Sequence, residues 1–243
     1  QAQCAQLAWQ GRDVVVATGT SSGKSLGYQL PVLTALAQDP TACAIYLTPT
    51  KALGSDQLQA TLRMTQGAGL AGIHPAPYDG DTPVESRAGI REHTRYVFTN
   101  PDMLHAGMLG SHARWARLLR HLKYIVVDEC HTYRGVFGAN VALVLRRLLR
   151  IASAYGSSPT LIYASATAAD PAGQALRLSG REAVAVTDDA APAGERTIVL
   201  WEPGFIEGAE GEGGAPVRYP ATTEAASVSA QLLLQGARTL TFV

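Results

Sequence analysis

Two short strings in the sequence carry residue types that bind phosphate groups and divalent metal ions. The first, "ATGTSSGKS" (residues 17–25), runs from small residues into a lysine and a serine. Small residues let consecutive main-chain N–H groups point at one anion, and a lysine ammonium adds a compact positive charge. The second, "YIVVDECH" (residues 124–131), ends an apolar run with two adjacent acids. Together the strings predict a site for a nucleotide and Mg²⁺.

The first string defines the candidate phosphate loop. It departs from the pattern G-x-x-x-x-G-K-[ST], because Thr18 stands where the first glycine is usual. Lys24 is expected against the β- and γ-phosphates of ATP, and the Ser25 hydroxyl is expected to bind Mg²⁺. The helix N-terminus behind the loop adds its positive end. The remaining candidate ATP-binding residues of the loop are Thr20, Ser21, Ser22 and Gly23.

The adjacent acids Asp128 and Glu129 follow a run that is expected to be a buried strand. Open parallel sheets place their ligand sites at the carboxyl ends of strands. There Asp128 can hold Mg²⁺, usually through water, and Glu129 can orient and deprotonate an attacking water molecule. The alternative is two solvated carboxylates in a turn, since strand ends are commonly polar. The phosphate loop upstream favours the Mg-nucleotide site.

Composition restricts the class of protein. The chain has 243 residues, 47% of them hydrophobic, which is enough for a substantial core and argues against disorder. No apolar run approaches the length of a membrane span, so we expect no membrane association. Three scattered cysteines suit a reducing cytoplasm. The net charge is zero, so any contact with nucleic acid must be local.

Apolar runs of strand length alternate with longer segments of helical pattern. The predicted strands are Asp13–Ala17, Ala44–Thr48, Tyr96–Thr99, Tyr124–Asp128, Thr160–Ser165, Glu182–Thr187, Thr197–Trp201 and Thr239–Val243. The predicted helices are Lys24–Gln38, Lys51–Met64, Val84–His93, Pro101–Met108, Gly135–Ala154, Pro171–Leu178 and Thr222–Gln235. The first five strands are continuous rather than alternating, as in strands buried on both faces. This order predicts an α/β fold with a parallel sheet and helices on both faces.

The pattern weakens after residue 165 and indicates a domain boundary. The stretch "EPGFIEGAEGEGGAPVRYP" is rich in glycine and glutamate and predicts an exposed, flexible loop. One helix and one strand follow it. We therefore expect one α/β lobe at 1–202, a linker at 203–221 and the first elements of a second lobe at 222–243.

With these strings together, the chain resembles the superfamily 2 helicases. "DECH" resembles their DExH box, and the other matching strings are "TPTKAL" (48–53), "YDGDTP" (78–83), "TNPDMLH" (99–105) and "SAT" (165–167). "ATGTSSGKSL", "TNPDMLH" and "DECHTYRGVFGANVALVLRRL" resemble the narrower YprA/MrfA type of RecQ-like helicases with a C-terminal zinc-binding domain. In that type the phosphate loop also has the form "TGTxSGKS", which accounts for Thr18. The resemblance covers nearly all of the chain.

The resemblance implies a RecA-like P-loop NTPase lobe and assigns further roles. Gln1 corresponds to a glutamine that contacts adenine. The residues expected to grip a nucleic-acid backbone are Thr50, Lys51, Thr99 and Asn100. The residues expected to link the nucleotide site to the nucleic-acid-binding side are His131, Ser165 and Thr167. Capping and turn roles are the alternative for the strand contacts, and a histidine that caps a strand end is the alternative for His131.

These roles predict the ATP-binding motor lobe of an ATP-dependent helicase acting on DNA, either a single strand or a duplex–single-strand junction. RNA stays open as a substrate, and 3′-to-5′ polarity is implied by resemblance alone. In this family a second RecA-like lobe supplies arginines to the γ-phosphate, worth about 10³–10⁵ in turnover. We therefore expect the 243-residue chain alone, as a monomer, to bind Mg-ATP weakly and to show no useful hydrolysis or unwinding. The alternatives are a non-enzymatic ATP- or nucleic-acid-binding module and, disfavoured by "DECH" and "SAT", a small-molecule kinase.

Overall fold

A computed structural model describes residues 1–19, 22–166, 168–192, 194–195 and 197–242, and of Ala71 the main chain only. The chain forms two compact units, Gln1–Ala191 and Pro192–Val243. The predicted end of the first lobe, residue 202, falls inside the second unit. Within the described residues, no helix is both long and apolar enough to cross a membrane.

The first unit is built on one parallel sheet of seven strands. The strands are β1 (Val14–Ala17), β2 (Cys43–Leu47), β3 (Pro75–Pro77), β4 (Tyr96–Thr99), β5 (Leu122–Val127), β6 (Thr160–Ser165) and β7 (Val184–Val186). Their order across the sheet is β3-β4-β2-β5-β6-β1-β7. Every residue of β1, β2, β4 and β6 is buried, as continuous apolar strands in a parallel sheet should be. The predicted parallel α/β fold is confirmed.

Helices connect the strands and cover both faces of the sheet. They are α1 (Ala2–Trp9), α2 (Lys24–Gln38), α3 (Lys51–Gly67), α4 (Ser86–His93), α5 (Pro101–Met103), α6 (Ala116–Arg120), α7 (Gly135–Ala154) and α8 (Pro171–Ser179). One apolar cluster contains residues of α1, α2 and α3, and the other contains residues of α6, α7 and α8. Val14 and Val16 belong to the first cluster and Val15 to the second, because successive strand residues face opposite sides.

The carboxyl edge of this sheet is where the predicted site residues converge. Strand β6 lies between β1 and β5, and Ala17 at the end of β1 is in register with Ser165 at the end of β6. On the other side of β5, Leu47 is in register with both Thr99 and Val127. The segments that follow five strands therefore start along one edge of the sheet. A ligand at this edge can be contacted from several loops at once.

Some elements of the first unit differ from the sequence prediction. Edge strand β3 was not predicted; it is three residues long and has a proline at both ends, which fits an edge position only. Helices α1 and α6 were also not predicted. The predicted helix Pro101–Met108 is one short α-helical turn followed by a π-helical turn, Leu104–Met108.

The second unit contains a β-hairpin and one helix. Strands β8 (Phe205–Glu210) and β9 (Pro216–Arg218) pair antiparallel, and α9 (Ala221–Leu234) follows them. The hairpin lies in the stretch predicted as a flexible loop, where the Arg218 guanidinium sits 4.0 Å from the centre of the Phe205 ring. The predicted strand Thr197–Trp201 is not formed by the described residues of that range.

The predicted strand Thr239–Val243 is also absent: residues 239–242 form no strand, and Val243 lies outside the described residues. The side chains of Leu240 and Phe242 are exposed. An apolar run becomes a strand only where a neighbouring strand accepts its hydrogen bonds. Among the described residues, neither 197–201 nor 239–242 has such a neighbour.

Candidate functional site

The phosphate loop closes on itself through its own side chains. The Lys24 ammonium donates to the carbonyl oxygens of Thr18 (3.0 Å) and Gly19 (2.6 Å). The hydroxyl of Thr18, the position where a glycine is usual, lies 2.6 Å from the Ser22 hydroxyl. Thr18 is 6% exposed, so a threonine is accommodated here as an internal hydrogen-bond partner. Thr20 and Ser21, predicted to bind ATP, lie outside the described residues.

Gly23 fixes the junction between this loop and α2. It has φ of +75°, a conformation that favours glycine. A methyl group in its place would lie 2.1 Å from Nε2 of Gln1. Gln1 also donates to the Ser22 carbonyl at 3.4 Å. The structure thus brings the glutamine predicted to contact adenine against the predicted phosphate loop.

An acidic residue near the C-terminal end of the first unit contacts the phosphate loop. Asp189 accepts a hydrogen bond from the Gly19 main-chain N–H at 2.8 Å. Hydrogen bonds from the N–H groups of Ala191 and Gly19, with a weaker contribution from Lys24, lower the pKa of Asp189. A carboxylate oxygen therefore occupies a main-chain donor of the loop in the way that a phosphate oxygen would.

Asp128 is buried at the end of β5, 8% exposed, and two tyrosine hydroxyls contact its Oδ2. Tyr46, on β2, donates to this oxygen at very short range, and Tyr28, on α2, reaches it at 3.4 Å. Tyr28 also lies 3.2 Å from the Ser25 hydroxyl. The two predicted Mg²⁺ ligands, Ser25 and Asp128, therefore border the same hydroxyl.

Burial raises the pKa of both tyrosines, and the charge of Asp128 acts in the same direction. Both hydroxyls are consequently protonated at neutral pH and can donate. By contrast, Cys130 in the same string takes no part: its thiol is buried, and burial raises its pKa to about 12.

Glu129 takes an unusual main-chain conformation beside Asp128. Its φ is +48°, in the left-handed region that few residues other than glycine adopt. Its carboxylate lies 3.2 Å from Nδ1 of His131. The same Nδ1 lies 3.2 Å from the main-chain N–H of Ala166. A protonated Nδ1 donates to Glu129 and an unprotonated one accepts from Ala166, so only one of these contacts exists at a time.

Ala166 belongs to the "SAT" string, so His131 Nδ1 lies between the carboxylate of Glu129 and this string; its coupling role stays a prediction. Ser165 of that string is fully buried, and its hydroxyl lies beside the Cys130 thiol. Thr167, the third predicted coupling residue, lies outside the described residues.

Three of the four residues predicted to contact a nucleic-acid strand line one cleft of about 430 Å³. The cleft lies between α3 and the loops after β3 and β4, and the three residues are Lys51, Thr99 and Asn100. Thr50 stands beside them as the N-cap of α3, with its hydroxyl accepting from Leu53 N–H at 3.4 Å. Lys51 pairs with Asp81 at 2.7 Å on the exposed rim of the cleft. This contact raises the pKa of Lys51.

Thr99 and Asn100 already have internal partners. The Thr99 hydroxyl is buried and donates to the Tyr78 carbonyl at 2.7 Å. The Asn100 side chain accepts from the Met103 N–H at 2.9 Å and so caps the following turn. Their side chains thus have the capping and turn roles considered in the sequence. Thr50 and Lys51 are the exposed members of the set.

Sequence reasoning missed three residues of this site: Tyr28, Tyr46 and Asp189. Tyr28 stands three residues after Ser25, on the same helical face, which was a usable signal. Tyr46 contacts an acid 82 positions away and Asp189 a loop 170 positions away. No local pattern reveals such contacts.

Comparison with known proteins agrees with this geometry. Residues 1–175 match the DEAD/DEAH box helicase family. The chain is 41% identical over 237 residues to the uncharacterized ATP-dependent helicase YprA of Bacillus subtilis. It is 39% identical over 246 residues to the ATP-dependent helicase HRQ1 of Saccharomyces cerevisiae. The alignments cover 98% and 100% of this chain, but 31% and 22% of those relatives.

Solved structures show the same fold. The helicase MrfA bound to DNA and AMPPNP matches with a TM-score of 0.88 and 41% identity, over 96% of this chain and 31% of that one. The helicase Lhr of Mycobacterium smegmatis, bound to single-stranded DNA and AMP-PNP, matches with a TM-score of 0.62 and 28% identity, over 76% of this chain and 25% of that one. The RecA-like helicase fold is thereby confirmed, and the chain belongs to the DEAD/DEAH box helicase family.

Proposed function

We propose that this chain contains the ATP-binding motor lobe of an ATP-dependent DNA helicase or translocase. The observation that carries the proposal is the shared environment of Ser25 and Asp128, whose oxygens lie 3.2 and 3.4 Å from the Tyr28 hydroxyl. One hydroxyl and one acid, gathered at the sheet edge beside Lys24, are the protein ligands that a Mg-nucleotide site requires.

The residues present fit ATP and Mg²⁺. The Asp189 carboxylate on the Gly19 N–H supports this, because an anionic oxygen already accepts from a main-chain donor of the loop. The Lys24 ammonium lies within 3.0 Å of the same loop's carbonyls, from which it can turn to phosphate oxygens. The part of the chain that the structure describes holds no cluster of three or more His, Cys, Asp or Glu residues suited to a metal. A Mg²⁺ ion held by one hydroxyl, one acid and phosphate oxygens needs no such cluster.

In this proposal each residue performs one task. The loop N–H groups and Lys24 would hold the phosphates, and Mg²⁺, when bound, would neutralise charge that develops on them. Ser25 and Asp128 would hold the metal. Glu129 orients a water molecule and takes its proton, and His131 positions the Glu129 carboxylate from 3.2 Å.

The nucleic-acid side of the proposal rests on the cleft beside α3. Thr50 and Lys51 open α3 and are exposed, and a helix N-terminus with a lysine favours a phosphate group. DNA is proposed because MrfA, at 41% identity, has been crystallised with DNA. The substrate is proposed to be a single strand or its junction with duplex, with 3′-to-5′ polarity; RNA is the alternative outcome.

The remaining features of the proposal concern the whole protein. The lobe is proposed to span 1–202 and to close on a second RecA-like lobe that begins near 222, after a linker at 203–221. The three cysteines are free, which supports a reducing, cytoplasmic location. A monomer is proposed.

The test is ATP turnover by the full-length gene product with single-stranded DNA, single-stranded RNA or neither. Lys24→Ala should abolish turnover and greatly weaken nucleotide binding, because the phosphates lose their cation. Glu129→Gln should abolish turnover but keep Mg-ATP binding. Turnover that is independent of any strand, or retained in Glu129→Gln, would reject the motor function. The 243-residue chain alone is expected to bind Mg-ATP without strand-stimulated turnover.

A further inference from the structure

The Tyr28 hydroxyl lies among three possible acceptors on different parts of the fold. They are Oε1 of Gln57 on α3 at 3.0 Å, the Ser25 hydroxyl at 3.2 Å and Oδ2 of Asp128 at 3.4 Å. The tyrosine is 1% exposed, so its hydroxyl is buried together with these partners. A phenol has one proton and can donate to one acceptor at a time. The three acceptors therefore compete for it.

Asp128 does not depend on this proton. The Tyr46 hydroxyl donates to the same Oδ2, so the carboxylate keeps a donor when Tyr28 turns away. The Tyr28 and Tyr46 rings pack with their centres 5.9 Å apart, which holds both hydroxyls near the acid. Tyr28 can thus donate to Ser25, to Asp128 or to Gln57 on α3, and in each case the buried Asp128 carboxylate keeps a hydrogen-bond donor.

Gln57 belongs to the helix that carries the proposed strand contacts. It lies six residues after Lys51, about 9 Å along the helix axis. A second buried contact joins the same two helices one turn further on, where Gln29 on α2 donates to the Thr61 hydroxyl on α3 at 2.8 Å. Through these contacts a change at the Tyr28 hydroxyl reaches α3 directly.

We propose that Tyr28 is a positioning residue that couples occupancy of the nucleotide site to the position of α3, and hence to the grip on a nucleic-acid strand. When Ser25 and Asp128 bind Mg²⁺, directly or through water, their oxygens become weaker acceptors for Tyr28, and its proton is donated more often to Gln57. In the absence of the metal ion the three acceptors share it. The inference rests on the proposed function, because it assigns Ser25 and Asp128 to the metal and α3 to the strand.

The experiment measures binding rather than turnover. The full-length gene product is titrated with fluorescent single-stranded DNA, with and without Mg-AMPPNP. The ratio of the larger Kd to the smaller one reports the coupling, and a ratio of one means no coupling. Tyr28→Phe keeps the ring and removes the hydroxyl. It should reduce the ratio by about 2- to 10-fold, the equilibrium effect of one buried hydrogen bond. Gln57→Leu should reduce it similarly, and the double variant should show no further reduction.

Tyr163→Phe is the matched control. It removes the hydroxyl of another buried tyrosine, on β6, which makes no hydrogen bond to the phosphate loop, to Asp128 or to α3 within the part of the chain that the structure describes. Its ratio should equal that of the wild type. Melting temperatures check that each variant is folded, and the partly exposed Gln57 provides the test if Tyr28→Phe does not fold.

The outcomes separate the inference from the proposed function. An unchanged ratio in Tyr28→Phe or Gln57→Leu rejects the inference and leaves the motor function intact. Loss of Mg-AMPPNP binding in Tyr28→Phe, with an unchanged ratio in Gln57→Leu, also rejects it, because the hydroxyl would then serve the metal site alone. A wild-type protein that binds neither Mg-AMPPNP nor a strand rejects the proposed function itself.

Discussion

The Asp189 carboxylate accepts a hydrogen bond from the Gly19 main-chain N–H at 2.8 Å, inside the loop proposed to bind phosphate. Asp189 stands 170 positions after Gly19, just beyond β7. Because the hydrogen bonds it accepts lower its pKa, the group is ionised at neutral pH. The acid and a nucleotide phosphate therefore compete for one donor.

Asp189→Ala should tighten binding of Mg-ATP, because the competing carboxylate is gone. The acid is exposed, so the expected effect is modest, about 2- to 5-fold in Kd. Titration with a fluorescent ATP analogue measures it. Asp188→Ala is the control, since it removes the same charge from the neighbouring exposed position. Equal tightening in both variants, or none in Asp189→Ala, would show that the contact with Gly19 does not compete.

Lys51→Ala should weaken strand binding by similar factors for all sequences, because a lysine that contacts phosphate does not distinguish bases. The slope of the log association constant against log salt concentration is negative, and its magnitude should decrease by about 0.7 for a single strand. Asp81→Asn should act in the opposite direction, since it releases the Lys51 ammonium from its ion pair. Lys123→Ala, at the other end of the sheet near the start of β5, is the control. A salt slope unchanged in Lys51→Ala would remove this residue from the interface.

Thr99→Val should lower stability while the affinity for a strand is kept. The hydroxyl donates to the Tyr78 carbonyl in a buried position, and its loss leaves that acceptor unsatisfied at a cost of about 1–3 kcal/mol. Urea unfolding measures the stability, and fluorescence anisotropy measures strand binding by the folded variant. A strand contact made by the main chain would survive the substitution. Loss of strand affinity at unchanged stability would assign the hydroxyl to the strand instead.

Asp13→Ala should destabilise the first unit by about 2 kcal/mol, which is below the range for a fully buried ion pair because the Arg181 side chain is partly exposed. Asp13 is buried at the amino end of β1, where it accepts from the Leu161 N–H and from Arg181, both at 2.8 Å. Burial raises its pKa although both donors lower it. The loss of stability is therefore expected to come mainly from the Leu161 N–H and Arg181 donors, which are left without an acceptor, and less from the missing charge.

The measurement for Asp13→Ala is urea unfolding, with the exposed Asp188→Ala as the reference. Mg-ATP binding below the melting transition should stay at the wild-type value, because Asp13 lies at the opposite end of β1 from the phosphate loop. A loss of nucleotide affinity in the folded variant would contradict this placement.

The sequence predicted best where burial decides the structure. Helices α2 and α7 begin and end as predicted, and β4 and β6 do too. A continuous β-branched run is recognisable because only a strand covered on both faces tolerates it. The convergence of Ser25 with Asp128 also followed from sequence, since strand ends in a parallel sheet share an edge.

The failures have a different physical origin. The run at residues 197–201 has the composition of a strand, yet Ile198 and Leu200 are almost fully exposed. Composition reports what a residue would gain in a sheet but not whether a neighbouring strand exists to pair with it. The same limit hid Tyr46 and Asp189, whose partners are fixed by the assembled fold.

The order of strands in the sheet has a consequence for biosynthesis. β1 pairs only with β6 and β7 among the described strands, so a chain emerging from the ribosome carries an unpaired VVVA segment until residue 160 appears. The closing of so long a loop is slow relative to local helix formation. Competence to hold a nucleotide would therefore be acquired abruptly and late, and a nascent chain stalled before β6 should present its β1 segment to chaperones.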